Sequence, residues 1–166
     1  MAPRVRRAFL GLGTNQGERS RVLSEAVRRL NESAGLRVRR VSVLYETEPV
    51  GPPGQEWYLN AVAEVELALP VEELLTLAKG IERDMGRVPG QRWGPRLIDI
   101  DILLVDDVKV ATPRLTVPHP ELEKRAFVLV PLATLVPHML LPSQRTVVET
   151  LAVLEDPHRV IPYVRD

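Results

Sequence analysis

The sequence predicts an α+β fold built on a mainly antiparallel sheet. Segments in which apolar and polar residues alternate indicate strands that bury one face. Two longer segments repeat apolar residues at helical spacing and indicate amphipathic helices. These segments follow one another as strand, helix, strand, strand, helix, strand, and further strand and helix segments occur towards the C-terminus.

The N-terminal part of the chain is predicted to form a strand and a helix. The strand covers residues 6–12 and leads into a glycine-bearing turn over 11–17. The helix begins near Glu18, and residues 31–35 end it. Its apolar stripe consists of Val22, Leu23, Ala26, Val27 and Leu30.

Two more strands and a second helix are predicted in the middle of the chain. Alternation over 38–46 and over 57–67 indicates the strands, and the segment 47–56 between them is too rich in proline and glycine for regular structure. Pro70 suits the first turn of the helix, and Gly86 ends it. Its residues at helical spacing are Leu74, Leu75, Ala78, Ile81, Glu82 and Met85.

The fourth main strand is predicted over 97–105, after an irregular segment over 87–96. A short strand over 108–111 and helices over 126–135 and 147–154 follow it. Because the six main elements have the order of a split βαβ unit, the chain is predicted to form a ferredoxin-like βαββαβ sandwich with additional C-terminal elements. Residues 1–166 are expected to form a single domain.

Two carboxylates interrupt the fourth strand. Asp99 and Asp101 share one face of it, about 6.6 Å apart, whereas the neighbouring isoleucines share the other face. At an effective dielectric constant of about 20 the two charges repel by roughly 2.5 kcal/mol, so a cationic partner is expected. Mg²⁺ with a substrate phosphate would supply one. Pairing with Arg92 and Arg96, or exposure to solvent, is the alternative.

Basic residues are concentrated in the irregular segments that are expected to surround these carboxylates. The planar fork of an arginine side chain suits phosphate, so a positive ring around paired acids indicates a Mg²⁺–polyphosphate site. For any single arginine, a surface or ion-pair role is the alternative. The basic residues are Arg87, Arg92, Arg96, Arg114, His119, Lys124 and Arg125.

Aromatic residues make up only 4% of the chain, so those near the irregular segments are informative. Tyr58, Trp93 and Phe127 would either belong to the core or flank a flat heterocycle. The amide of Asn60 carries both donors and an acceptor, and it would suit the edge of such a ring.

The composition excludes several classes of protein. With 22 basic and 22 acidic residues, the chain has no charge excess that would indicate a nucleic-acid or membrane partner. It has no cysteine, which excludes disulfides and thiolate metal sites. No apolar run approaches the roughly 20 residues of a membrane-spanning helix. A cytoplasmic protein is expected, and a monomer is favoured.

Four short motifs occur together in this chain: Y-L-N at 58–60, R-W-G-P-R at 92–96, D-I-D at 99–101 and L-T-V-P-H-P at 115–120. With G-T-N at 13–15 and T-E-P-V-G at 47–51, this set resembles the 6-hydroxymethyl-7,8-dihydropterin pyrophosphokinase family of folate biosynthesis. The match runs from the first strand to about Pro137, and the segment after Pro142 adds little. The resemblance implies transfer of the β,γ-pyrophosphoryl group of ATP to the pterin hydroxymethyl oxygen, with release of AMP.

The resemblance also implies roles for individual residues. Asp99 and Asp101 would ligate two Mg²⁺ ions that bridge the ATP phosphates and the acceptor hydroxyl, and they would act in catalysis together with Arg87 and Arg96. The implied ATP contacts are Arg87, Arg92, Trp93, Arg96, Ile102, Arg114, Thr116, His119 and Arg125. The implied pterin contacts are Thr47, Val50, Tyr58, Asn60 and Phe127.

Two other classes of function remain open at this point. One is a different Mg²⁺-dependent phosphoryl or nucleotidyl transferase, because paired acids also occur on ferredoxin-like sheets of the polymerase-palm type; the neutral net charge argues against a long nucleic-acid substrate. The other is a binding module without catalysis, in which the two aspartates are only salt-bridged.

Overall fold

A six-stranded antiparallel sheet forms the centre of the protein in this computed structural model, which describes residues 4–49, 51, 53–86 and 97–164. The strands of this sheet are β1 (Arg6–Thr14), β2 (Leu36–Val41), β3 (Tyr45–Thr47), β4 (Tyr58–Leu67), β5 (Asp99–Val105) and β8 (Val160–Pro162). Two short strands, β6 (Val110–Ala111) and β7 (Thr116–Val117), pair with each other separately.

Four helices complete the described elements. They are α1 (Arg19–Asn31), α2 (Val71–Gly86), α3 (Ala126–Leu135) and α4 (Val147–Ala152). None of the helices in the described part of the chain combines the length and the apolar character needed to cross a membrane.

The order of the strands confirms the predicted ferredoxin-like arrangement. β1 lies between β5 and β4, and both β2 and β3 pair with β4 on its other side. Each of these pairs is antiparallel. β8 adds a strand beyond β3, so the C-terminal segment joins the sheet next to the middle of the chain.

Each face of the sheet packs against its own hydrophobic core. On one face Leu10 and Leu12 of β1 pack with the apolar stripes of α1 and α2, including Leu30 and Leu74. On the other face the core contains Phe9, Val62, Leu103, Leu129, Leu132 and Val147, which come from β1, β4, β5, α3 and α4. The second core covers only part of its face, and the uncovered part holds the site described below.

The prediction of one continuous strand over 38–46 is wrong, because the chain forms two strands there, β2 and β3, with a gap between them. Ser42 lies in this gap, where its N–H donates to the Val62 carbonyl at 2.8 Å and its hydroxyl oxygen accepts from the Val62 N–H at 2.9 Å. The pairing register also shifts between Val38 and Arg40. A polar side chain therefore takes over part of the ladder and divides the strand.

Candidate active site

A cavity of about 460 Å³ opens on the partly covered face of the sheet. The sheet forms its floor, and the start of α3 and the segment before β8 form its walls. Eight residues that the sequence singled out line it together, although they come from four separate parts of the chain. They are Thr47, Tyr58, Asn60, Asp99, Asp101, Lys124, Arg125 and Phe127.

The two aspartates of β5 lie opposite two glycines of β1. Asp99 pairs in register with Gly13, and Asp101 pairs with Gly11. Ile98, Ile100 and Ile102 are buried on the opposite face, as the predicted alternation requires. Because glycine has no side chain, the floor beside the two carboxylates is open.

This floor fits a hard divalent cation. Carboxylate oxygens are the ligands that Mg²⁺ prefers, and it retains positions for water and substrate phosphate when a protein supplies only one or two carboxylates. In the residues that the structure describes, no group of three or more potential ligands is assembled.

The amide of Asn60 is held in one orientation beside this floor. Asn60 is buried, and its Nδ2 donates to the Thr47 hydroxyl at 2.6 Å. Gly13 is its partner in the register of β1 and β4, and a Cβ at Gly13 would lie only 2.3 Å from Asn60 Oδ1. The absence of a side chain at position 13 is thus what allows the Asn60 amide to lie over β1.

Glu82 belongs to the residues that the helical spacing places on the core-facing side of α2, but the sequence indicated no role for it. It is buried, and its Oε2 accepts a hydrogen bond of 2.9 Å from the backbone N–H of Ile100. Its Oε1 lies 3.3 Å from Nζ of Lys79. A carboxylate within an otherwise apolar helical stripe was the signal that could have revealed this contact, because a buried charge requires partners.

His119 lies next to β5, just outside the cavity lining. Its backbone N–H donates to the Leu103 carbonyl at 2.8 Å, and its Nδ1 accepts from the Glu121 N–H at 3.0 Å. Burial lowers the pKa of His119 below its usual value; the positive charge of Arg125 lowers it further, and the negative charge of Asp101 acts in the opposite direction. The imidazole is therefore neutral at pH 7, and with Nδ1 as an acceptor its proton lies on Nε2.

The start of α3 brings two site residues together. Arg125 precedes the helix and Phe127 lies in its first turn, with the guanidinium carbon 5.5 Å from the centre of the aromatic ring. Lys124 and Glu121 line the cavity nearby.

The segment before β8 also lines the cavity, which the sequence did not predict. Glu155, Asp156 and His158 contribute to its wall. The sequence gave this segment no role, because its residues carry no motif and their contacts are with residues that are distant in the chain.

Other predicted site residues lie outside the cavity or outside the described residues. The side chain of Ile102 lies in the core between the sheet and helices α1 and α2. Arg114, just before β7, and Thr116, within β7, are exposed. Their predicted contacts with ATP stay predictions. Five predicted residues lie outside the described residues: Val50, Arg87, Arg92, Trp93 and Arg96.

Comparison with known families gives a match over most of the chain. Residues 9–137 match the model of the family described as 7,8-dihydro-6-hydroxymethylpterin-pyrophosphokinase (HPPK). The matched stretch contains most of β1, all of β2 to β7 and most of the site, and it ends before the segment that carries Asp156 and β8.

Curated relatives match over nearly the same length. A protein of Methylorubrum extorquens is 43% identical over 149 residues, which cover 90% of this chain and 94% of the relative. One from Bacillus subtilis is 44% identical over 126 residues, covering 76% of this chain and 75% of the relative. Both are named 2-amino-4-hydroxy-6-hydroxymethyldihydropteridine pyrophosphokinase.

Solved structures show the same fold in larger proteins. The wild-type HPPK-DHPS of Plasmodium falciparum with pteroate superposes with a TM-score of 0.71 at 17% identity. The superposition covers 92% of this chain and 43% of that protein, so the chain spans less than half of this structural neighbour. At this identity the likeness concerns the fold alone.

Proposed function

Since the chain belongs to the 7,8-dihydro-6-hydroxymethylpterin-pyrophosphokinase family, we propose that it transfers the pyrophosphoryl group of ATP to the hydroxymethyl oxygen of 6-hydroxymethyl-7,8-dihydropterin. The acceptor oxygen attacks the β-phosphorus, the bond from that phosphorus to the bridging oxygen of the α-phosphate breaks, and AMP leaves while the hydroxyl proton passes to solvent. The products are AMP and the pterin diphosphate of folate biosynthesis. The observation that carries the proposal is that Asp99 and Asp101 share one cavity with Asn60 and Phe127.

Asp99 and Asp101 are the residues that would hold Mg²⁺. When bound, the metal neutralises phosphate charge and lowers the proton affinity of the acceptor hydroxyl. The glycines at 11 and 13 keep the surrounding floor free of side chains, which supports room for a polyphosphate beside the carboxylates. Two ions are proposed, and no side-chain base is assigned.

The pterin is proposed to lie between Tyr58 and Phe127, with its polar edge on Asn60. Both aromatic residues line the cavity and are half-buried, which supports contact of their rings with a flat heterocycle. The hydrogen bond to Thr47 holds the Asn60 amide in place, which supports its use as a donor and an acceptor for the edge of the ring. Val50 completes this proposed subsite.

The triphosphate is proposed to lie along the basic side of the cavity. The Nε2–H of neutral His119, next to the cavity, is a donor for a phosphate oxygen, and Arg125 contributes a cation to the cavity lining. Catalytic roles for Arg87 and Arg96 and nucleotide contacts for Arg92, Trp93, Arg114, Thr116 and Ile102 are part of the proposal by family resemblance. Positioning by these groups, which makes the attack effectively intramolecular, would supply much of the rate enhancement.

We also propose that residues 1–166 act as one pyrophosphokinase domain, as a monomer in the cytoplasm. Size-exclusion chromatography with light scattering measures the assembly directly. A dimer that persists at nanomolar concentration would contradict the monomer.

Product analysis tests the proposed reaction. Purified protein is incubated with ATP, Mg²⁺ and 6-hydroxymethyl-7,8-dihydropterin, and the products are separated by chromatography and identified by ³¹P NMR. We expect AMP and a pterin diphosphate in equal amounts, and no AMP when the pterin is omitted. Formation of ADP or of free pyrophosphate, or no turnover, would contradict the proposal. Rates measured against free Mg²⁺ at a fixed ATP concentration test the number of ions, because a second ion gives a dependence beyond the saturation of MgATP.

A further inference from the structure

Asp156 holds the first turn of α3 from a position 30 residues further along the chain. Its Oδ2 accepts a hydrogen bond of 2.9 Å from the N–H of Ala126, the first residue of the helix. Arg125, the residue before the helix, makes no side-chain cap, and the first turn contains no acidic residue. The carboxylate of Asp156 therefore supplies both the missing acceptor and the negative charge that a helix N-terminus favours.

The orientation of Asp156 is itself fixed within the C-terminal segment. Its Oδ1 accepts from the backbone N–H of His158 at 3.0 Å and lies 2.6 Å from Nδ1 of the same residue. Burial alone would raise the pKa of Asp156, but the hydrogen bonds from Ala126 and His158 outweigh it and lower the pKa, so the carboxylate is charged at pH 7. A charged acceptor makes the stronger helix cap.

Arg159, three residues later, is attached to the opposite wall of the cavity. Its carbonyl accepts from the Glu48 N–H at 2.9 Å, and its Nε lies 3.4 Å from Glu48 Oε2. Its guanidinium carbon lies 5.0 Å from the centre of the Trp57 ring. Val160 then pairs with Thr47, which holds the Asn60 amide.

The short distance along the chain between these two attachments limits the distance between the walls. Three residue steps span at most about 10 Å even when fully extended. The attachment at Asp156 fixes the helical turn that carries Phe127. The attachment at Arg159 and Val160 fixes Thr47, which pairs with Tyr58 in the sheet. A flat ring between two aromatic side chains needs a gap of about 7 Å, twice a van der Waals contact, so a change of 1 Å in the gap matters to binding.

We propose that the segment 155–163 is a spacer that sets the gap between Phe127 and Tyr58, with Asp156 and Arg159 as positioning residues for the pterin. This inference rests on the proposed function for the identity of the ligand. The spacer lies wholly after residue 137, where the family match ends, and it acts through residues 47, 48 and 126.

If the segment only stabilised the fold, its loss would raise the KM values for both substrates equally. The body of α3 is held by Leu129 and Leu132, which are fully buried in the core and do not depend on Asp156. Loss of Asp156 should therefore loosen the first turn and leave the rest of the helix packed. The effect should appear in pterin affinity, whereas the ATP side of the site should change little.

The experiment compares Asp156→Ala, Asp156→Asn and Arg159→Ala with the control Thr146→Ala. Thr146 caps α4 through a 3.1 Å hydrogen bond from the Glu149 N–H and does not line the cavity, so its loss removes a helix cap of the same kind elsewhere. For each full-length variant we would measure kcat, both KM values and the Kd of 6-hydroxymethyl-7,8-dihydropterin in the presence of a non-hydrolysable ATP analogue. Amide hydrogen exchange is followed in α3.

We expect Asp156→Ala to raise the KM and Kd for the pterin about tenfold, with the KM for ATP within twofold and kcat within threefold of wild type. Arg159→Ala keeps the carbonyl bond to Glu48 and the pairing of Val160 with Thr47, so it should raise the KM and Kd for the pterin only about threefold. Asp156→Asn, which retains an acceptor for Ala126, should recover most of the affinity. In the double variant of Asp156→Ala and Arg159→Ala, pterin affinity should fall by less than the product of the two single effects. Either substitution alone already frees the gap between Phe127 and Tyr58. Exchange should increase in the first turn of α3 in Asp156→Ala and not in Thr146→Ala.

Wild-type pterin affinity in both Asp156→Ala and Arg159→Ala would overturn the inference. An equal rise of the KM for ATP and the KM for the pterin would also overturn it. So would a rise of the pterin KM in Thr146→Ala equal to that in Asp156→Ala. If Asp156→Ala does not fold, the exposed Arg159 still permits the test. Failure of the proposed function is distinguishable, because wild-type protein would then form no pterin diphosphate, while hydrogen exchange would still show whether Asp156 holds α3.

Discussion

The carboxylate of Glu82 accepts a hydrogen bond from the backbone N–H of Ile100, the residue that lies between Asp99 and Asp101. β5 has a sheet neighbour only on the β1 side, so this N–H on its outer side has no strand to pair with in the described part of the chain. α2 therefore supplies the acceptor that a further strand would otherwise provide. The position of the two site carboxylates depends on this contact between helix and strand edge.

Removal of the Glu82 carboxylate should disturb the site without touching a substrate. Glu82→Ala leaves the Ile100 N–H without its partner, so we expect a loss of about 1–3 kcal/mol in the free energy of unfolding. We also expect kcat to fall at least about tenfold, because Asp99 and Asp101 lose their fixed positions. Urea denaturation and steady-state kinetics measure the two effects.

The conservative variant separates position from charge. Glu82→Gln keeps an acceptor for Ile100, so its kcat should stay within about threefold of wild type. Glu73→Ala, on the exposed side of α2, is the matched control. It should change the free energy of unfolding, and the activation free energy calculated from kcat, by no more than about 0.5 kcal/mol each. A fully active Glu82→Ala protein would refute the positioning role.

Neutralising the aspartates should remove activity but not the fold. Asp99→Asn and Asp101→Asn should each reduce kcat by at least about 100-fold, since metal ligation contributes several kcal/mol to such reactions. The Asp101 carboxylate is exposed and makes no hydrogen bond or ion pair with the residues that the structure describes, so the melting temperature of metal-free Asp101→Asn should equal or exceed that of wild type. Calorimetric Mg²⁺ titration in the presence of an ATP analogue should show weaker binding. Asp107→Asn, in the turn after β5, serves as control, and near-normal kcat in either site variant would exclude metal ligation there.

A methyl group at position 13 should displace the Asn60 amide. In Gly13→Ala the new Cβ would meet Asn60 Oδ1 at 2.3 Å, which no unstrained contact permits, and Asn60 would lose its hydrogen bond to Thr47. We expect the KM for the pterin to rise at least tenfold and stability to fall by about 1–3 kcal/mol. Gly80→Ala is the control, because its Cβ would have 3.7 Å to the nearest atom and an alanine stabilises a helix interior. Unchanged pterin affinity in Gly13→Ala would show that the Asn60 amide does not recognise the ring.

The pKa of His119 should respond in opposite directions to the loss of Arg125 and to the loss of Asp101, two of its three charged neighbours. NMR titration of the metal-free protein should place this pKa below the usual value, because burial disfavours the imidazolium. Arg125→Ala removes a repelling cation and should raise the pKa, whereas Asp101→Asn removes an attracting anion and should lower it. Lys109→Ala, outside the site, should leave the His119 titration unchanged. A shift of the same sign in both site variants would contradict the described arrangement.

The sequence predicted the order of the main elements and the face on which Asp99 and Asp101 lie, because both depend on local periodicity. Alternation is a property of the strand itself, and the isoleucines beside the aspartates follow it in the structure. The division between β2 and β3 could not be predicted in this way. It depends on hydrogen bonds between Ser42 and Val62, which are 20 residues apart.

The same limit explains why Glu82 and Asp156 were missed as parts of the site. Each contributes through a hydrogen bond to a backbone N–H that is 18 or 30 residues away, and no spacing within one element shows such a contact. β8 has only three residues, too few for a periodic signal, and its partner β3 comes from the middle of the chain.

The pairing of β8 with β3 also bears on solubility. Without this strand, β3 would present unpaired backbone groups at the sheet edge, where a second molecule could add a strand of its own. β8 replaces that edge with another strand of three residues, which ends in Pro162, whose nitrogen has no hydrogen to donate. The C-terminal strand thus protects the β3 edge from strand addition by a second molecule, and a chain shortened before Val160 should aggregate more readily than the full-length protein.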